Sequence, residues 1–176
     1  MKKLSVFELQ RLSKEDFKKA EKISLVVVLD NIRSLNNVGS IFRTSDAFMV
    51  KKLYLCGVTS FPPNAEIHKT ALGAEDSVEW EYNEDTCKVI DILHDEGYCV
   101  YAAEQVENSI MLQNFIVEKG KKYALVLGNE VNGVQQKVVD ICEGSIEIPQ
   151  FGTKHSLNVS VAAGLFIWDF FKQLDL

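Results

Sequence analysis

Paired cysteines, clustered histidines, a long apolar run and an excess of positive charge are all missing from this 176-residue chain, and each absence removes a class of function. Cys56, Cys87, Cys99 and Cys142 include no CxxC, and the nearest two stand 12 residues apart, which excludes the usual zinc and thiol-redox spacings. Cys56 and Cys99 lie in apolar runs and read as small core residues of a reduced protein. His68, His94 and His155 are dispersed and form no HExxH, so no metal site is expected. His155 precedes Ser156, but no GxSxG elbow surrounds that serine, which argues against a hydrolase. The densest apolar run, Val159 to Phe171, has 13 residues and contains Ser160 and Asp169; a membrane span needs about 20. No apolar segment follows the basic start Met1-Lys2-Lys3-Leu4, so neither a signal peptide nor a membrane partner is expected, and the location expected is cytoplasmic.

With 19 Lys/Arg against 25 Asp/Glu the net charge is -6. Taken whole, that argues against a nucleic-acid partner, because phosphate binders are usually basic. The charge is unevenly spread, however. Residues 1–74 hold 12 Lys/Arg and 7 Asp/Glu, a net of +5; residues 75–149 hold 5 and 16, a net of -11; residues 150–176 hold 2 of each. Such asymmetry marks the N-terminal half as the side that would meet a polyanion. Apolar residues make up 47% of the chain, enough for the core of a single domain.

The opening 24 residues are polar and basic, and Ser5-Val6-Phe7-Glu8 and Ser13-Lys14-Glu15-Asp16 both look like capped helix starts. Two short helices are expected there, forming an arm over residues 1–24 ahead of a domain over 25–176. The run Leu25–Leu29, ending at Asp30, suits a strand buried on both faces. Comparable runs lie at Lys52–Cys56, Cys99–Ala103, Tyr123–Leu127 and Ile146–Ile148, with a weaker one at Val78–Tyr82. Helical patterns separate them at Val38–Phe48, Glu66–Leu72, Thr86–Glu96, Val134–Ile141 and Leu157–Leu174. The alternation predicts an α/β domain with a mostly parallel sheet, whose ligand site lies beyond the carboxyl ends of the strands.

Three segments stand at such ends. Asn31 to Thr44 is a polar loop running into a helix, which Asn37 is placed to cap; Gly39 permits a close backbone approach, and Arg43 follows within two turns. From spacing alone, an N-cap and a surface arginine are the plainer reading. Leu127-Gly128-Asn129-Glu130-Val131-Asn132-Gly133-Val134 has two glycines at a strand-to-helix turn. It lacks the Lys-Ser/Thr of a phosphate loop, and Glu130 would repel a phosphate. Ile148 to Gly164 is a Gly-containing loop leading to a helix that is apolar nearly all round, with Ser156, Asn158 and Ser160 at its start. Ser156 could cap it, and both its faces need cover; the sheet is one, and a second subunit is a candidate for the other.

Together these segments resemble the three motifs of the TrmH (SpoU) branch of the SPOUT superfamily of RNA methyltransferases. The matching residues are Asn37-Val38-Gly39 with Arg43-Thr44; Leu127-Gly128-Asn129-Glu130 with Gly133-Val134; and Ile148-Pro149 with Ser156-Leu157-Asn158-Val159-Ser160-Val161-Ala162. The resemblance implies a C-terminal trefoil knot and transfer of a methyl group from S-adenosylmethionine to a ribose 2′-OH of RNA, leaving S-adenosylhomocysteine. It implies a tRNA substrate more readily than rRNA, and a homodimer whose site the partner completes. The catalytic residues implied are Asn37, Arg43, Glu130, Ser156 and Asn158. The cofactor would lie on Ala102, Ala103, Glu104, Gly128, Ile148, Ser156, Leu157 and Asn158, mostly through main chain, with no metal. Lys14, Lys18, Lys22, Arg33 and Arg43 would face RNA. The guanidinium of Arg43 suits stabilising a developing alkoxide, or gripping a phosphate that takes the proton, better than removing the proton itself. A catalytically inactive RNA-binding protein of the same fold is the alternative.

Overall fold

The β-branched run after the arm forms strand β1 (Ile23–Asp30), whose side chains are buried from Leu25 onward. Alternate β1 residues feed two separate cores, as a strand covered on both faces requires. Leu25, Val27 and Leu29 pack beneath helices α2 (Leu35–Ala47), α3 (Ala65–Ala71) and α6 (Val159–Leu174). Val26 and Val28 pack beneath α4 (Thr86–Asp95) and the short α5 (Gln136–Val139). The remaining strands are β2 (Val50–Cys56), β3 (Trp80–Asn83), β4 (Tyr98–Ala103), β5 (Ile110–Met111), β6 (Lys122–Leu127) and β7 (Gly144–Glu147). They form one seven-stranded sheet in the order β3-β2-β1-β6-β4-β7-β5, and every pairing is parallel. The structure is a computed structural model and describes residues 1–9 and 11–174.

Three elements depart from the sequence reading. Helix α2 starts before Asn37: Ser34 is the N-cap, its hydroxyl accepting from the Asn37 amide at 3.3 Å. Asn37 is therefore not the cap, which frees its side chain for other partners. The helix expected over Val134–Ile141 shrinks to Gln136–Val139. Its entry is pinned because Asp30 accepts from both the main-chain and side-chain N–H of Gln135, and its exit tightens into i→i+3 turns at Ile141 and Cys142. Strand β5 has two residues, too few for any periodic signal.

In the arm, a 3₁₀ turn (Val6–Leu9) precedes α1 (Lys14–Lys19), capped by Ser13. Phe17 is buried in the main core, and Lys14 pairs with Asp76 at 2.6 Å. Since α1 leads directly into β1, the docked arm sits at the amino end of the sheet. Among the described residues no helix is long and apolar enough to cross a membrane.

Candidate active site

At the carboxyl ends of β4, β6 and β7 the chain encloses a cleft of about 550 Å³, within the range of small-ligand sites. Its apolar wall includes Ala103, Leu127, Ile146, Ile148 and Leu157. Three carboxylates line it, Glu104, Glu130 and Glu147, but no lysine or arginine does. Such a wall disfavours a phosphate-bearing ligand and favours one carrying positive charge.

Seven of the eight cofactor candidates line this cleft: Ala103, Glu104, Gly128, Ile148, Ser156, Leu157 and Asn158. Ala102 does not. It is fully buried within β4, and the Ser145 hydroxyl reaches its carbonyl oxygen at 2.9 Å and that of Glu104 at 2.6 Å. The Glu104 carboxylate also has a task invisible to sequence spacing. It accepts from the Val134 amide at 2.9 Å and the Gln105 amide at 2.9 Å, and so closes the 128–134 turn from beneath. Gly133 has φ +66°, and a Cβ there would lie 2.0 Å from Glu104 Oε2, so a larger residue would be strained and would push the Glu104 carboxylate off the turn.

The three motifs meet through side chains. Glu130 accepts from the amides of Arg33 (3.1 Å) and Ser34 (3.0 Å) and from Asn37 Nδ2 (3.1 Å). Asn158 Nδ2 donates to Asn37 Oδ1 at 3.1 Å. Asn158 Oδ1 caps α6, accepting from the Ser160 and Val161 amides; Asn158 is thus the cap, and the exposed Ser156 is not. Asn37 joins residues 93 and 121 positions away. Burial works to raise the Glu130 carboxyl, but the amides of Glu130 itself, Arg33 and Ser34 and the Asn37 side chain outweigh it, and the group is held below the ordinary carboxylate range.

Sequence reasoning missed the support beneath this network. Asp30, at 0% exposure, accepts from Asn31 Nδ2, Thr86 Oγ1 and the amide and side chain of Gln135. Asn129 Nδ2 donates to the Asn31 carbonyl at 2.7 Å. Thr59 Oγ1 accepts from the Ile32 amide and donates to the Leu29 carbonyl. The one available signal was an acidic residue ending the apolar run Leu25–Leu29.

Arg43 stands apart. It is exposed on α2, does not line the cleft, and makes no ion pair or hydrogen bond among the described residues. Six residues along a helix place it about 9 Å down the axis from Asn37. Gly39's close approach is to α3, since a Cβ would meet Thr70 Oγ1 at 2.1 Å and the Ile67 carbonyl at 2.3 Å. Of the other RNA candidates, Arg33 is exposed beside the cleft. Lys18 and Lys22 line a groove with Ser24, Lys51 and Trp80 at the amino end of the strands. The length of β1, about 26 Å at 3.3 Å per residue, separates the two ends. Lys14 is held by Asp76, and the Lys22 ammonium is turned onto the Phe17 and Ala20 carbonyls. Among the described residues no group of three His, Cys, Asp or Glu could hold a metal ion. The four cysteines are free, and burial pushes the Cys56 and Cys142 thiols up to about 12.

A profile of the SpoU rRNA Methylase family matches residues 24–168. Over 162 residues the chain is 32% identical to an uncharacterized tRNA/rRNA methyltransferase of Borreliella burgdorferi, covering 92% of this chain and 69% of that protein. The fold superposes on a TrmH/SpoU tRNA modifying enzyme of A. aeolicus with a TM-score of 0.79 and 29% identity, over 91% of this chain and 79% of that one. It superposes on an AdoMet-bound rRNA methyltransferase of Sinorhizobium meliloti with a TM-score of 0.80 and 25% identity, over 91% of this chain and 61% of that one.

Proposed function

Because the chain belongs to the SpoU rRNA Methylase family, we propose that it is an S-adenosylmethionine-dependent RNA methyltransferase acting on a ribose 2′-OH, with tRNA somewhat favoured over rRNA. The observation that carries this reading is the hydrogen bonding of Asn37 to Glu130 and Asn158, which line a cleft with three carboxylates and no lysine or arginine. A cofactor bearing a sulfonium and an ammonium would fit such a wall, held by Ala103, Glu104, Gly128, Ile148, Ser156, Leu157 and Asn158. Bound there, it supplies an electrophilic methyl group. The A. aeolicus relative, named a tRNA modifying enzyme, supports the tRNA preference, and the AdoMet-bound S. meliloti relative supports the cofactor.

The 2′-oxygen forms its bond to the methyl carbon as the carbon–sulfur bond breaks, and the hydroxyl proton must leave. Both reacting charges disappear in that transition state, so a cleft that excludes water favours it. Asn37 and Asn158 fix the mouth of the cleft, and Ser156 lies on its wall to orient the ribose. Glu130, ionised and held by three donors, locks the start of α2 against the 128–134 turn.

Proton removal falls to a phosphate oxygen gripped by Arg43. Because Arg43 is remote from the cleft of its own chain, the reading includes a homodimer in which the partner's copy of this arginine reaches the site. The face of α6 supports that dimer. Val161, Leu165 and Trp168 recur at helical spacing and stand exposed, Trp168 at 50%, beside Phe48 and Phe171. The family's trefoil knot, spanning β6 to α6, belongs to the same reading.

The test is incubation of the purified chain with tritiated S-adenosylmethionine and total tRNA or rRNA. Label in RNA is expected, with tRNA the better acceptor; RNA that stays unlabelled while the protein binds RNA would favour the inactive RNA-binding alternative.

A further inference from the structure

We propose that Phe151 is a stacking platform for an unpaired RNA base at the mouth of the cleft, so that the substrate is presented as a single-stranded loop and not as a duplex. This rests on the RNA methyltransferase reading above. Phe151 is 96% exposed. Phe61, Tyr82 and Trp168 are also exposed, but each lies against another ring. Phe151 lies against none among the described residues. Phe151 itself is not part of the cleft wall, but its neighbour Gln150 and the nearby His155 and Ser156 are, so the ring stands beside the cleft. The segment is anchored, since Gln105 Nε2 donates to the His155 carbonyl at 3.1 Å.

The charge around the ring selects the occupant. Gln150 to Ser156 carries Lys154 and His155 and no acid, directly after the stretch whose net charge is -11. Arg33, exposed and held through its amide by Glu130, adds a second cation at the same end of the sheet. An aromatic face flanked by cations is the combination that binds single-stranded nucleic acid, through ring stacking and phosphate contacts. A duplex offers no free base face to such a ring.

The experiment measures the affinity of the full chain and of F151A, F151L and F151W for total tRNA and for a blunt RNA duplex. Cofactor affinity and light-scattering mass are measured on the same proteins. F151A is expected to weaken tRNA binding by about 5- to 150-fold, the range that stacking on one base implies. F151L should lose as much, whereas F151W should keep the affinity and show its emission quenched by tRNA. Duplex binding, cofactor affinity and mass should not change. The proposal is overturned if F151A binds tRNA within twofold of wild type, if F151L keeps full affinity, or if duplex binding falls equally. It is also overturned if F151A changes the mass alone, which would place the ring against a second copy of the chain. Methyl transfer is assayed separately: Phe151-dependent tRNA binding without transfer would sink the enzymatic reading and leave the platform standing.

Discussion

Glu130 is an acidic side chain in a cleft read as receiving an anionic RNA, and its surroundings explain why it stays ionised. Three donors from the start of α2 converge on it. Replacing it with Gln removes an acceptor and presents an N–H to those donors, at a cost of about 1–3 kcal/mol. Its folded carboxyl is held below the ordinary range, so its contribution is complete above the unfolded value of about 4.3 and is lost as pH falls through the folded one. Urea unfolding of wild type and E130Q should therefore differ by a constant amount from about pH 8 to about pH 5, and the gap should close below about pH 4. A gap that widens on acidification would contradict this. Asp30 behaves differently. It does not line the cleft, yet it holds the main-chain and side-chain N–H of Gln135 and so fixes the turn that carries Glu130. D30N should destabilise the fold by about 1.5–3 kcal/mol, readable in the same unfolding experiment. Glu130 was legible because it sits inside a motif. Asp30 was not, because Thr86 and Gln135, which make it a hub, lie 56 and 105 residues away, and an acid ending an apolar run is the one local sign of it.

Among the elements, the strands were the most legible. A run buried on both faces must be apolar throughout, and Leu25–Leu29 and Tyr123–Leu127 announce themselves that way. Helix ends were less so. Ser34 displaced Asn37 as a cap, and Asn158 displaced Ser156, because caps are chosen by tertiary partners as well as by residue type. The seam between α2 and α3 is set by one glycine. G39A adds a methyl that would sit 2.1 Å from Thr70 Oγ1, an overpacking that costs about 1–3 kcal/mol and exceeds the roughly 1 kcal/mol that alanine gains in helix propensity. Thermal melting should show a lower midpoint for G39A; a higher one would mean that the helices part freely.

At the scale of the whole molecule, the uneven charge remains informative, but the structure splits the basic half in two. Arg33 stands at the cleft, whereas Lys18 and Lys22 stand at the other end of the sheet, and Lys14 is already paired with Asp76. Lys18 is the arm's test case: if RNA reaches that end, K18Q should lower the salt slope of RNA binding by about one with cofactor affinity unchanged. An unchanged slope would remove Lys18 from the RNA footprint. The proposed dimer is tested through the exposed apolar face of α6. W168E should give a monomer by light scattering and lose methyl transfer together. Mixed dimers of R43A and E130Q chains should regain part of the activity that each lacks alone, because one site in the mixed dimer keeps both an intact Glu130 and a partner's Arg43. No recovery would place Arg43 in its own chain's site.

On the proposed function, the cleft lined by Glu130 and Asn158 methylates ribose in RNA. The most direct measurement is mass spectrometry of nucleosides from tRNA treated with S-adenosylmethionine and either the wild-type chain or E130Q. A single 2′-O-methylnucleoside that appears with wild type and falls at least tenfold with E130Q is the predicted result. A methyl group on the base, or equal ribose methylation by both proteins, would contradict it.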